Sequence, residues 1–216
     1  DILQRLEDKI YSEKSHTKPV IYLDKNENLK GLHYLDEIYQ AIIKKVTLVI
    51  TYKSFKSREE NKFHFHPFIL KEFNNRWFLV GKKKATAPVS NLALDRIISI
   101  DYDFNIPYLE EEFDADLFYK NVIGVTVNSG LQPRKIELWI DADNAPYIIT
   151  KPLHHTQRLI TENEDKSIIV HLFIAPNYEM ERLLLGFGCG IEILKPESLR
   201  NRMKKMLEKA LEKYAE

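Results

Sequence analysis

The sequence predicts an α+β fold built as two successive units. Three observations lead there. From Val46 to Phe104, strand-like segments follow one another with no helix between them. From about residue 121 onward, strands and helices alternate in the order β-α-β-β-α-β. Amphipathic helical patterns open and close the chain. The expected organisation is a helical connector over 1–45, a β domain over 46–104, a linker over 105–120 and a second domain over 121–216.

In the connector, Ile2, Leu3, Leu6 and Ile10 stand at helical spacing, and "KPVIYLDKNENLKG" gives a short apolar run followed by a polar turn. Leu32, Leu35, Ile38, Tyr39, Ile42 and Ile43 then mark one face of an amphipathic helix ending near Lys45. The chain begins at Asp1 without a methionine and enters a helical pattern at once, so we expect it to be a piece of a longer protein with a module upstream.

The β domain reads as four segments, "VTLVITYKSF", "NKFHFHPFILKEF", "RWFLVGKK" and "LALDRIISIDYDF", separated by charged, small or turn-forming residues. Asn74-Asn75 suits a tight hairpin, because asparagine tolerates positive φ. Short, closely spaced strands favour a small antiparallel barrel or rolled sheet over a parallel α/β fold. The acidic run Glu110, Glu111, Glu112, Asp114 and Asp116 reads as the solvated face of a linker or short helix. It lacks the glycine-punctuated loop of a calcium site.

In the second unit "RKIELWID" is a strand, "ADNAPYIIT" a short helix and "QRLITENEDKSIIVHLFIA" a strand hairpin. "YEMERLLLG" is a helix closed by Gly186, and "GIEILK" is a strand. Pro196 opens a last helix with Leu199, Met203, Met206, Leu207, Ala210, Leu211 and Tyr214 on one side. This order is that of a split βαβ, ferredoxin-like domain with an extra C-terminal helix.

Composition narrows the function. The 216 residues carry 32 basic and 32 acidic side chains, so no global field draws the chain to nucleic acid or anionic lipid, and any such binding needs a local patch. A single cysteine, Cys189, precludes an intrachain disulfide framework and fits a reducing cytosol. No apolar run reaches membrane-spanning length. Nucleophile elbow, phosphate loop, dinucleotide fingerprint and zinc-protease motif are all missing, so we expect neither an enzyme nor a cofactor. "GFGCG" follows a helix and enters a strand, the reverse of a phosphate-cradling loop, and Cys189 within it reads as a small packed or inert residue.

Two groups of residues carry candidate chemistry. His64 and His66 emerge on one face of a strand, but no third ligand stands at a recognisable spacing, so a pocket-lining pair is preferred to zinc. His154-His155 read as divergent loop residues making surface hydrogen bonds. The second group centres on Trp77 and Phe78, which occupy opposite faces of their strand. In a rolled sheet, Tyr52, Ser54, His66 and Arg96 come near them. Arginine offers a forked donor for phosphate, serine and tyrosine offer hydroxyls, and an aromatic face can stack a base. Lys82, Lys83 and Lys84 read as a solvated strand end or an extension of a positive rim.

Residues 46–104 resemble the WYL domain, whose Trp-Tyr-Leu signature reads Trp77-Phe78-Leu79 here. "TYKS" (Thr51 to Ser54), "HP" (His66-Pro67) and "LDRI" (Leu94 to Ile97) support the match. "PLHHTQ", "NYEMERLLLGFG" and "IEILKP" resemble the C-terminal extension that follows such domains. The resemblance implies an Sm-like, SH3-type β-barrel with a ligand pocket at Tyr52, Ser54, His66, Trp77, Phe78 and Arg96. It also implies a cytoplasmic bacterial transcription regulator, dimeric, whose effector is a nucleotide or single-stranded nucleic acid. Such a protein meets promoter DNA only through an N-terminal helix-turn-helix not present in this chain. The signature tyrosine is replaced by Phe78, which lacks the hydroxyl, and Ser90 and Asn91 stand where a basic residue is common. The competing expectation is an interaction module without a small ligand.

Overall fold

The computed structural model describes residues 30–55, 57–128 and 130–214. The expected first helix and the run at 18–29 lie outside the described residues. The chain divides between Phe113 and Asp114 into two compact units.

In the first unit, Gly31 at φ 86° opens a 3-10 turn, Leu32–Tyr34, which leads into α1 (Leu35–Ile43). Leu35, Ile38 and Ala41 are buried along α1, whereas Tyr39 and Ile43, expected on the same face, are 41% and 62% exposed. The apolar stripe is therefore narrower than the sequence pattern draws it. Five strands follow: β1 (Thr47–Tyr52), β2 (Asn61–Phe73), β3 (Arg76–Lys82), β4 (Ser90–Ala93) and β5 (Ile97–Asp103). They form one antiparallel sheet in the order β4-β3-β2-β1-β5.

β2 changes partners midway. Asn61 to Phe65 pair with β1, while His66 to Phe73 pair with β3, and the register shifts between Pro67 and Ile69. Proline has no N–H for the ladder, so it sits where pairing is already irregular. The β2–β3 hairpin closes through Asn74 and Asn75, both at positive φ (50° and 59°), as a two-residue connection of primed type requires. Leu48, Ile50, Phe65, Leu79, Leu92, Leu94, Ile97 and Ile100 pack with the buried face of α1 as one core.

Two expectations are corrected in this unit. The fourth segment is not one strand, because Leu94–Arg96 wind into a 3-10 turn that separates β4 from β5. In addition, β4 and β5 do not pair, so the hydrogen bonding is that of an open sheet and not of a closed barrel. The four-residue β4 and the turn after it leave no ladder to complete the ring.

The stretch after β5 is tied to the first unit. Tyr108 Oη donates to Pro67 O (2.6 Å), and Phe113 stacks on Phe68 with centroids 5.4 Å apart. Glu110 and Glu111, from the acidic run, pair with Lys45 and Lys82.

The second unit begins with α2 (Ala115–Tyr119), capped by Asp114, whose carboxylate accepts from Leu117 N. β6 (Arg134–Ile140), α3 (Ala145–Thr150), β7 (Arg158–Glu162), β8 (Ile168–Ile174), α4 (Tyr178–Leu185), β9 (Ile191–Lys195) and α5 (Glu197–Leu211) complete it. The sheet is antiparallel in the order β7-β8-β6-β9. Strand alternation places Ile136, Leu138 and Ile140 beside Ile168, Val170, Leu172 and Ile174 on one face. Ile148, Met180, Leu184, Leu199 and Met203 are the buried apolar residues of α3, α4 and α5. Asn177 caps α4 through Met180 N and also donates to Ile123 O and Thr126 O, which pins the chain before β6. Cys189, expected to be either packed or inert, is exposed, which rules out the packed reading. The rings of His154 and His155 lie 4.2 Å apart and so do not diverge. Among the described residues, no helix is long and apolar enough to cross a membrane.

Candidate functional site

The expected binding residues gather only in part. Their centre is Arg96, at the end of the turn between β4 and β5. Its carbonyl accepts Lys53 N at 3.0 Å, which joins the turn to the chain leaving β1. That exit carries Tyr52, Ser54 and Phe55. The Tyr52 hydroxyl hydrogen-bonds with the Arg96 side chain, and burial pushes the phenol pKa up while the arginine charge opposes the rise. The Arg96 guanidinium carbon lies 4.3 Å from the Phe55 ring centroid, and Phe55 itself is 73% exposed. Ser54 is half-buried on the same loop, with its carbonyl accepting Ser57 N.

A second arginine reaches the turn from β3. Arg76 Nη2 stands 3.5 Å from Asp95 Oδ2, and the Asp95 side chain is only 11% exposed. Among the described residues, two polar atoms here are buried without a hydrogen-bond partner: Nε of Arg96, a donor, and Oδ1 of Asp95, an acceptor. Buried polar groups are normally satisfied, so an orphan donor and an orphan acceptor on consecutive residues call for a partner. Beside them, the Phe55 ring offers a partly exposed apolar plane.

The remaining expected residues lie elsewhere or serve the core. Trp77 is half-buried and packs on the core cluster. Phe78, on the opposite face of β3, is half-buried opposite Lys71 and Ala93. His66 stands at the other end of β1: it faces Thr47, five residues before Tyr52, or about 17 Å at the rise of a strand. Its Nδ1 accepts Leu109 N at 3.2 Å, so in the neutral ring the proton sits on Nε2. Burial, then the neighbouring His64, lowers its pKa. His64 instead meets Asp103 at 3.0 Å. The lysine end of β3 is also occupied, with Lys82 bonded to both Glu111 oxygens and Lys83 Nζ 3.8 Å above the Phe63 ring. Among the described residues, no group of three or more His, Cys, Asp or Glu is arranged to hold a metal.

Sequence reasoning missed Phe55, Arg76 and Asp95. All three stand in segments that the sequence singled out, yet their meeting is tertiary. Only a pairing of β3 with the β4–β5 turn brings Arg76 to Asp95, and no local pattern encodes it.

Comparison with known proteins gives the following. Residues 33–101 match the WYL domain family, and residues 132–211 match the WCX domain family. Among solved structures, the proteasome accessory factor B/C (PafBC) of Arthrobacter aurescens is similar at 19% identity and a TM-score of 0.38. That match covers 89% of this chain and 29% of the other. A CRISPR Cas-related protein is similar at 11% identity and a TM-score of 0.48, over 83% of this chain and 50% of the other. The chain thus spans less than a third of the first structure and half of the second. No curated protein matches.

Proposed function

This chain carries a WYL domain followed by a WCX domain, and from that pairing we propose that it is the ligand-sensing and oligomerisation portion of a transcription regulator. In this reading, the first unit is a rolled, Sm-like sheet left open between β4 and β5. The strand order β7-β8-β6-β9 supports a ferredoxin-like reading of the second unit. Promoter DNA would be read by a helix-turn-helix upstream of this chain, in the cytoplasm, and two copies would act together.

The effector is an anionic nucleotide or single-stranded nucleic acid held at Arg96. One observation carries this: the Arg96 guanidinium is anchored by Tyr52 and Phe55 while its buried Nε has no acceptor among the described residues. A phosphate oxygen supplies one, and the Phe55 plane suits a base. Asp95 Oδ1 offers an acceptor for an exocyclic amine. Tyr52 and Ser54 stay in the proposed site, Phe55, Arg76 and Asp95 join it, and Trp77 and Phe78 support it from the strand behind. His66 stands apart and fastens the 106–109 segment.

The test is Arg96→Ala with a fluorescent single-stranded oligonucleotide, titrated across salt concentrations. The expected result is weaker binding and a salt slope reduced by about 0.7 for each phosphate that the variant no longer neutralises. Unchanged affinity with an unchanged slope removes Arg96 from any site. The second reading, an interaction module without a small ligand, draws on the packing of Trp77 against the core and the Arg76–Asp95 pair. It predicts that same absence of any change.

A further inference from the structure

Strand alternation gives the second sheet two unlike faces. Ile136, Leu138 and Ile140 of β6, with their neighbours on β8, bury one of them. The other carries Lys135, Glu137 and Trp139 of β6 opposite Phe173, His171 and Ile169 of β8. Phe173 is 49% exposed, the Lys135 side chain is 55% exposed, and Trp139 and His171 are half-buried, so this face meets water. On its flanks, Arg158 of β7 faces His171, while Lys195 and Glu192 of β9 face Glu137 and Trp139. Three rings thus lie on one side of two neighbouring strands. Trp139 and Phe173 stand at opposite corners, offset by four residues or about 13 Å at the rise of a strand, with His171 between them.

Charge gives the face its sign. One carboxylate, Glu137, serves two lysines, with Lys135 Nζ 3.1 Å from Oε1 and Lys195 Nζ 3.0 Å from Oε2. Glu192 is paired with Arg200. Arg158 Nη1 donates to the carbonyls of His155 and Gln157, which carry no charge to offset its own. Four cations therefore stand against two carboxylates. Glu162 of β7 pairs in register with Ile168 and so belongs to the other face. Among the described residues, Nδ1 of His171 is buried without a hydrogen-bond partner, so the central ring holds a polar atom that no structural bond engages. Cations at the margins with aromatic planes between them match a strand whose phosphates meet the basic groups and whose unpaired bases stack on the rings. A duplex keeps its bases inside its own stack, where these rings do not reach. An acidic peptide satisfies the charges and leaves the rings unused.

We infer that this solvent-facing side of the second sheet binds single-stranded nucleic acid, with bases stacked on Trp139 and Phe173 and phosphates held by Lys135, Arg158 and Lys195. The surface is distinct from that of Arg96 and belongs to the other unit, which it supplies with its own contact for the same class of effector. Failure here leaves the Arg96 titration untouched, and failure there leaves this one.

Tryptophan fluorescence of the full chain tests it. The chain has two tryptophans, Trp77 and Trp139. In the Trp77→Phe, Arg96→Ala double variant only Trp139 reports, and the Arg96 contact is removed. A short oligothymidylate is expected to quench this emission saturably. Phe173→Ala in the same background is expected to raise the dissociation constant at least about fivefold, the loss of one stacked base. Lys135→Gln together with Lys195→Gln is expected to reduce the salt slope by about 0.7 for each phosphate released. Anisotropy of a labelled oligonucleotide, with Arg96→Ala set against Arg96→Ala/Phe173→Ala, repeats the comparison with Trp77 in place. Trp139 emission unchanged by the oligonucleotide overturns the inference. So does quenching by duplex DNA or by polyglutamate as strong as by the single strand, or an affinity that Phe173→Ala leaves unchanged.

Discussion

The guanidinium carbon of Arg96 stands 4.3 Å from the centroid of the Phe55 ring, with Nε of the same arginine buried and lacking an acceptor among the described residues. Phe55 is 73% exposed, so the core does not depend on its ring. Phe55→Ala is therefore expected to leave the melting midpoint within about 2 °C of the parent. It is expected to lower affinity for a single-stranded oligonucleotide by about fivefold, the size of one stacking or cation–π interaction of roughly 1 kcal/mol. Arg96→Lys keeps the charge but loses the planar fork, and its affinity should fall between the parent and Arg96→Ala. Anisotropy titrations at one salt concentration measure all three.

The Arg76–Asp95 pair makes a different prediction. Asp95 is nearly enclosed and one of its oxygens already lacks a partner, so removing Arg76 leaves a carboxylate with less compensation. Arg76→Ala is expected to cost roughly 1–2 kcal/mol in urea denaturation, more than a solvent-exposed pair would. Asp95→Asn in the Arg76→Ala background should recover part of that loss, since the buried charge is gone. If the double variant is less stable than Arg76→Ala alone, the loss does not come from the stranded carboxylate.

Much of this is legible in the sequence because the signals are local. Alternation in "RKIELWID" and the asparagine pair at 74–75 each fix backbone geometry within a few residues, and the structure has the strand and the primed turn. What the sequence hides is set at long range. "LALDRIISIDYDF" reads as one strand because Leu94, Ile97 and Ile100 are all apolar. Only packing against the core shows that three residues coil at its centre. His66 reads as a pocket residue from its spacing to His64, yet its partner is Leu109 N, 43 positions away. Arg96 is found because its segment is recognisable, whereas Arg76 and Asp95 need a fold to meet.

Gly31 offers a test of how the helical edge holds the site. Its φ of 86° is a region that side chains rarely enter, and a Cβ added there would stand 2.3 Å from Leu94 O. Leu94 begins the turn that ends in Arg96. Gly31→Ala is therefore strained in its own backbone and also pushes on the turn. It is expected to destabilise the first unit by about 2 kcal/mol or more. Oligonucleotide affinity should fall with it, even though Gly31 itself offers the ligand no side chain. Calorimetry and the anisotropy assay on one preparation check both. Full stability in the alanine variant shows that the chain here can relax away from Leu94.

Acid should loosen the protein above the range where carboxylates usually titrate. Burial, then the charge of His155, pushes the His154 pKa down to about 4, and His66 is lowered by burial and by His64. In an unfolded chain both titrate near about 6.5. The unfolded state thus binds more protons over this interval, and the stability tied to each histidine is complete above about pH 6.5 and is lost as pH falls toward the folded value. For His154, that window closes near pH 4. Glu37 and Glu181 work in the opposite sense: burial raises their pKa values, so each takes up its proton more readily in the folded state as pH falls. The raw slope therefore mixes both signs, and only a comparison with variants isolates the histidines. His154→Gln, which cannot charge, is expected to melt with a shallower decline between pH 6.5 and 4 than the parent, and with a similar profile above pH 7. A variant whose midpoint falls as steeply as the parent's across that interval assigns the acid sensitivity to other groups.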